Sequence, residues 1–188
     1  SPAELAVCSF ASTASARDWD FLKWLPHTTS PHSPVETGHL AQTAPECSAL
    51  ADALEDLVAG KATHGGAAAG ADDGATRPLV LVLVESDAPI DRSRLVALAE
   101  RGHQHGVVVL WVAETQTLLP AACHTFLALG GGQSGADSLV GFVHEGEAVR
   151  PVAVDGVSPA EAMACARQLA PVVDAGVPVE DASDLPRT

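Results

Sequence analysis

The feature that most constrains this fold is a run of six aliphatic residues at positions 79–84, followed directly by Glu85, Ser86 and Asp87. A strand that is apolar on both faces belongs in a parallel sheet with helices packed on both sides. Open α/β folds place their ligand sites where the strands end. The run therefore predicts an α/β fold with Glu85 and Asp87 at the carboxyl edge of the sheet.

Helices and strands are expected to alternate on both sides of this run. Before it, we predict a strand at Leu5–Phe10, a compact helical turn at 18–25, a short strand at 38–43 and an amphipathic helix at 45–59. After it, we predict a helix at 91–103, a strand at 107–113, a turn of helix near 118–123 and a strand at 126–129. Alternation over 138–144 and 148–154 predicts a β-hairpin, and Ser158 begins a last helix that runs to about Leu169.

The length of the chain bounds the number of domains. A chain of 188 residues can bury one sizeable core. We expect a single domain over 1–170, interrupted by a surface loop at 61–77 that is rich in glycine and alanine. The proline-bearing tail at 171–188 is interpreted as a linker to a following domain. Because the chain starts without methionine, we expect it to be a fragment of a longer protein.

Charge and cysteine usage exclude several classes of partner. Ten basic residues against 24 acidic ones give a net charge of −14, which repels nucleic acid and anionic membrane surfaces. We therefore expect protein partners and no nucleic acid. The four cysteines form no Cys-x-x-Cys pair, which is typical of reduced thiols in a cytosolic domain. No apolar run approaches the ~20 residues needed to cross a bilayer, so we expect membrane contact only through a longer parent protein.

A short aromatic motif carries a family resemblance. Residues 18–27 read Asp-Trp-Asp-Phe-Leu-Lys-Trp-Leu-Pro-His. This segment resembles the "DWDWLKWLPH" signature of EccC, the membrane-anchored FtsK/SpoIIIE-type ATPases of type VII (ESX) secretion systems in actinobacteria. The strand at 79–85 takes the place of a Walker B strand, residues 95–110 are similar to a stretch of FtsK-like motors, and residues 166–171 look like the "ARRLAP" that closes the domain. The resemblance covers nearly the whole chain and is best for the membrane-proximal ATPase-like domain.

The resemblance implies a RecA-like, P-loop-NTPase-like fold that lacks its Walker A portion, with the first strand and phosphate loop upstream. It also implies a place at the cytoplasmic face of the cell membrane. Its partners would be other type VII membrane components, neighbouring ATPase domains and, through the parent protein, secreted effectors. Trp19, Trp24, Pro26 and His27 are the residues of the motif expected to serve structure or partner binding. Because large aromatics dominate burial energy, we expect both tryptophans to pack in the core.

Two departures from the family pattern bear on catalysis. The chain contains no Gly-x-x-x-x-Gly-Lys-Ser/Thr phosphate loop, and its Walker B position ends in Glu85-Ser86 instead of Asp-Glu. Phosphoryl transfer depends on the positioning and charge neutralisation that those missing groups supply. We therefore expect a non-catalytic domain, and the resemblance implies that it links the membrane pore to downstream ATPase domains. It would need no cofactor of its own, with ATP and Mg²⁺ handled by the parent. Glu85 and Asp87 would remain as a degenerate Walker B, interpreted first as acids at a solvated strand end.

Three alternatives remain open at the level of sequence. The first is a nucleotide-binding or hydrolysing ATPase domain whose phosphate loop lies upstream. The second is a DNA-translocating FtsK relative, which the negative charge disfavours. The third is a small α/β hydrolase with Ser134 as nucleophile, which is disfavoured because Ser134 stands in Gly-Gln-Ser-Gly-Ala, without the final glycine of the elbow motif. A zinc site formed by His103 and His105 with Cys123 and His124 is also disfavoured. Zinc needs three or four convergent ligands, and the two histidines straddle a helix end and a turn, where polar residues are common.

Overall fold

The computed structural model describes residues 1–60, 78–130, 138–142 and 148–172. The strands in this part of the chain are β1 (Leu5–Phe10), β2 (Leu40–Ala41), β3 (Leu79–Glu85), β4 (Val107–Val112), β5 (Thr125–Ala128), β6 (Leu139–Phe142) and β7 (Ala148–Val149). The α-helices are α1 (Ala44–Val58), α2 (Arg92–Gly102) and α3 (Pro159–Leu169). Short 3₁₀ helices occur at Asp20–Trp24, Pro26–Thr28, His103–His105 and Gln116–Leu118. The predicted loop at 61–77, Ser134, the turn of the predicted hairpin and all but two residues of the predicted linker lie outside the described residues.

A four-stranded parallel sheet forms the centre of the fold, in the order β2-β1-β3-β4. The aliphatic run supplies β3, which has a parallel neighbour on each side, so the prediction of a mainly parallel α/β sheet is confirmed. The register sets Phe10 beside Val84 and Val84 beside Trp111. Because these strands are parallel and in register, their carboxyl ends meet at one edge.

One face of this sheet packs against α1 and α2. Side chains at alternate positions of the strands, such as Cys8 and Val82, are completely buried there, together with Leu54 of α1 and Leu95 of α2. The two helices are also joined directly, since the Arg94 guanidinium donates hydrogen bonds to α1 carboxylates, among them Glu55 at 2.8 and 2.9 Å. This face is therefore the hydrophobic core of the domain.

The opposite face is covered only in part by the described residues. At β1 it contacts the 3₁₀ helix Pro26–Thr28, and Ser9 is buried there. At β3 and β4 the aliphatic side chains of Leu79, Val108 and Leu110 are between 42% and 49% exposed. The central sheet thus has one face that is buried under α1 and α2, and an opposite face whose side chains at β3 and β4 are partly exposed to solvent.

The strand predicted at 126–129 is present as β5, but it does not extend the parallel sheet. It pairs antiparallel with β6, which pairs antiparallel with β7, so the predicted hairpin is confirmed within a separate three-stranded sheet. Ser138 anchors this sheet. Its buried hydroxyl accepts the Gly130 N–H at 3.0 Å, and its carbonyl accepts the Val152 N–H at 3.0 Å.

The helical turn predicted near 118–123 was wrong in its position. The turn is the 3₁₀ helix Gln116–Leu118, and Leu119 is already extended with ψ 136°. The cause is Pro120, since a proline disfavours helical backbone in the residue before it.

The last helix begins as its sequence predicts. The Ser158 hydroxyl accepts the Glu161 N–H at 3.3 Å, and the Glu161 carboxylate accepts the Ser158 N–H at 2.9 Å, which is a complete capping box. The helix packs against the 3₁₀ helix Asp20–Trp24, far from it in sequence. The N-terminal aromatic motif and the C-terminal helix are thereby brought together.

Candidate functional site

The carboxyl edge of β1 and β3 holds the first candidate residues. Glu85 is the last residue of β3 and is half-buried, whereas Asp87 lies two residues further on and is exposed. The chain turns sharply here, with the Ala88 N–H donating to the Glu85 carbonyl at 3.2 Å. The two predicted acids therefore emerge at the expected edge but in different surroundings.

The Glu85 carboxylate is engaged by the loop that follows β1. One of its oxygens accepts the Ser12 backbone N–H at 3.4 Å and also accepts a hydrogen bond from the Ser15 hydroxyl. The two serines are themselves joined, since their hydroxyl oxygens lie 3.0 Å apart and the Ser15 N–H donates to the Ser12 hydroxyl at 3.2 Å. The Glu85 carboxylate is thus a hydrogen-bond acceptor for groups in the loop that follows the neighbouring strand β1.

The two serines were not predicted as site residues from the sequence. Ser12 and Ser15 lie two and five residues after the end of the first predicted strand, whereas Glu85 ends the third. Parallel strands bring such positions to one edge. The neighbour of β3 was not predictable from the sequence alone, so this pairing of Glu85 with the β1 loop first becomes visible in the structure.

The aromatic motif forms two short 3₁₀ helices on the surface of the domain. Its anchor is Leu22, which is 2% exposed, while Trp24 is 38% exposed and Trp19 is half-buried. The expectation that both tryptophans pack in the core was therefore wrong, since Trp24 is exposed and Trp19 is only half-buried and lies outside the core cluster. A 3₁₀ helix has three residues per turn and cannot bury Trp19, Leu22 and Trp24 on one side.

The exposed ring of Trp24 instead lies against a cationic side chain of α3. The Arg167 guanidinium of α3 lies 5.1 Å from the centre of the Trp24 ring, within the range of a cation–π contact. Pro26 begins the next 3₁₀ helix, and the Thr28 hydroxyl closes the motif by donating to the Leu25 carbonyl at 2.8 Å. Two of the segments that carry the family resemblance, 18–27 and 166–171, are thus in contact.

The histidine of the motif lies in a partly desolvated position. Burial lowers the pKa of His27, and the nearby positive N-terminus lowers it further. A second histidine, His39, is buried, with Nε2 at 2.9 Å from the Ser33 hydroxyl and 3.2 Å from the Val35 carbonyl oxygen. Burial likewise lowers the pKa of His39, against the raising effect of hydrogen bonds to backbone groups. Both rings therefore favour the neutral form at neutral pH.

A second polar cluster at the sheet edge was not predicted. Arg92, the first residue of α2, lies with its guanidinium 5.2 Å from the ring centre of Trp111 and donates a hydrogen bond to the Leu118 carbonyl. Arg92 ties the loop after β4 to the start of α2. Arg92 follows the helix cap Asp91, whose carboxylate accepts the Ser93 N–H at 2.9 Å.

The residues considered for zinc do not form a metal centre. His103 and His105 lie in an exposed 3₁₀ turn after α2, and burial raises the pKa of the half-buried Cys123 thiol. Among the described residues, no group of three or more histidine, cysteine or acidic side chains is placed to hold a metal ion. None of the helices in the described ranges is both long and apolar enough to span a membrane.

Together, the parallel sheet and the helices on it define a RecA-like α/β fold. Among solved structures, the chain is similar to EssC (ATPases 2 and 3) from Geobacillus thermodenitrificans, with a TM-score of 0.52 and 13% sequence identity. The match covers 90% of this chain and 37% of the EssC chain, so this chain spans little more than a third of that neighbour's length. No protein-family model and no curated protein matches the sequence. The likeness at this identity shows the fold.

Proposed function

We propose that this chain is a non-catalytic, ATPase-like domain of a type VII protein secretion motor. The observation that carries the proposal is the state of Glu85, the residue at the Walker B position. Its carboxylate is occupied by the Ser12 N–H and the Ser15 hydroxyl, both from the neighbouring strand end. The oxygen used in this way is already engaged by protein donors, which disfavours a role in organising Mg²⁺ and an attacking water, and the sequence contains no phosphate loop.

The role we propose is mechanical. The domain would link the membrane pore to the ATPase domains of its parent protein, an EccC-type motor at the cytoplasmic face of the membrane. Support comes from the contact between Trp24 and Arg167, which joins two family-like segments that are far apart in the sequence. The excess of acidic residues favours basic or neutral protein surfaces as partners, namely other secretion components and neighbouring ATPase domains.

The proposal is tested in the intact parent protein, expressed in its own host. Trp24→Ala removes the exposed ring of the motif, and the matched control Lys23→Ala removes an exposed neighbour whose ion pair with Asp20 is local. We expect Trp24→Ala to reduce effector secretion strongly while the purified parent keeps its ATP hydrolysis rate, and Lys23→Ala to secrete normally. Normal secretion by Trp24→Ala would contradict the linking role. A parallel loss of secretion and hydrolysis would contradict the non-catalytic role.

A further inference from the structure

The loop after β1 connects the edge of the sheet to the aromatic motif. It leaves β1 at Phe10, which pairs with Val84, and therefore starts beside Glu85. Backbone hydrogen bonds carry the loop onward, with the Asp18 N–H donating to the Ser15 carbonyl at 2.8 Å. Two residues later the chain enters the 3₁₀ helix Asp20–Trp24. The segment from Ser15 to Trp24 is short and hydrogen-bonded locally, so a shift at its start is transmitted along it.

The polar cluster formed by Ser12, Ser15 and Glu85 fixes the start of this segment. Ser12 is 8% exposed, and its N–H has Glu85 as acceptor. Hydrogen bonds to an ionised acceptor are roughly twice as strong as neutral ones. Removing the acceptor would leave the Ser12 N–H unpaired in a partly buried site, which is more costly than never having made the bond, and would take from the Ser15 hydroxyl its charged acceptor.

We propose that Glu85 is a positioning residue, whose carboxylate holds the Ser12–Ser15 turn against the end of β3 and thereby sets the position of the aromatic motif and of α3. The last link is the contact of α3 with the 3₁₀ helix Asp20–Trp24, in which Arg167 lies over Trp24. This positioning role deepens the proposed function. It rests on that function only for its biological purpose in secretion. The acid at the Walker B position would act as a mechanical tie between the central sheet and the C-terminal helix.

The test is hydrogen–deuterium exchange on the full chain, resolved by peptide. Glu85→Ala is compared with Glu85→Gln, which keeps an acceptor oxygen, and with Asp87→Asn, a matched change of the exposed acid at the same edge. We expect Glu85→Ala to speed exchange about tenfold over 12–24 and over 159–169, with α1 unchanged, since a partly buried donor pair loses its acceptor. Glu85→Gln restores most of the protection, and Asp87→Asn has no effect.

Two results would overturn the inference. One is unchanged exchange over 12–24 in Glu85→Ala. The other is faster exchange over 12–24 together with an unchanged exchange rate over 159–169, because the effect of Glu85 would then not reach α3. If Glu85→Ala does not fold, Ser15→Ala provides the same test from the other partner, and we expect the same two segments to exchange faster by a smaller factor. These outcomes do not depend on secretion, so they separate this inference from the proposed function.

Discussion

The two faces of the central sheet should respond very differently to the same chemical change. Val82 of β3 is fully buried beneath α1 and α2, while Val108 of β4 lies on the opposite face and is 42% exposed. Valine to alanine removes the equivalent of two methylene groups, worth about 0.8 kcal/mol each when fully buried. At Val82 a cavity term adds to this transfer cost, because the packed helices relax only in part, and we expect a total of about 2–3 kcal/mol. At Val108 we expect about 0.5–1 kcal/mol, since nearly half of the side chain is already in water and no cavity forms.

The assay is urea unfolding of the two variants beside the wild type, followed by circular dichroism. The dependence of the unfolding free energy on urea concentration (the m-value) should be the same in all three proteins, so that the difference in midpoint concentration measures the difference in stability. In thermal unfolding, each 1 kcal/mol corresponds to a shift of roughly 2–4 °C for a domain of this size. Equal losses for Val82→Ala and Val108→Ala would refute the reasoning, because they would mean that both faces are buried in the isolated chain.

Three further outcomes are expected. A double-mutant cycle of Trp24→Ala and Arg167→Ala should give a coupling free energy of about 0.5–1 kcal/mol in urea unfolding, as for an exposed cation–π contact, and a coupling of zero would show that the contact is not formed. Burial raises the pKa of the Cys8 thiol to about 12, so we expect Cys8 to react with Ellman's reagent only after unfolding, whereas the exposed Cys165 reacts at neutral pH in the folded protein. Equal reaction rates for the two thiols would argue against the buried position of β1. Because burial lowers the pKa of His39 in the folded state, the unfolded state binds protons more tightly, and the free energy of unfolding should fall as the pH drops below about 6.5. His39→Asn should reduce this dependence of the unfolding free energy on pH, and an unchanged dependence would assign it to other groups.

Strong local signals in the sequence predicted much of the fold. The aliphatic run gave the central strand, and Ser158, Pro159 and Glu161 gave the start of α3, since a capping box is read from neighbouring residues alone. The bounds of β1 were predicted without error. Features that depend on distant partners were harder. The strand at 126–129 was found, but its antiparallel pairing with β6 depends on contacts made across the chain.

The candidate site divides in the same way. Glu85 and Asp87 were placed at the correct edge because strand direction alone puts them there. The engagement of Glu85 by Ser12 and Ser15 could not be predicted, since it requires knowing that β1 pairs with β3. The exposure of Trp24 was missed for a related reason. Its partner, Arg167, lies more than 140 residues further along the chain, and a short 3₁₀ helix leaves the ring on the surface.

The central claim is that this domain does not use nucleotide, and calorimetry on the full chain tests it most directly. The ligand is Mg²⁺ with a slowly hydrolysed ATP analogue, titrated into the wild type and into Glu85→Ala. We expect no binding heat at millimolar ligand in either protein, because the Glu85 carboxylate already accepts hydrogen bonds from the loop after β1 and no phosphate loop is present in the sequence. Micromolar binding by the wild type that is lost in Glu85→Ala would contradict the claim and identify a nucleotide-responsive domain.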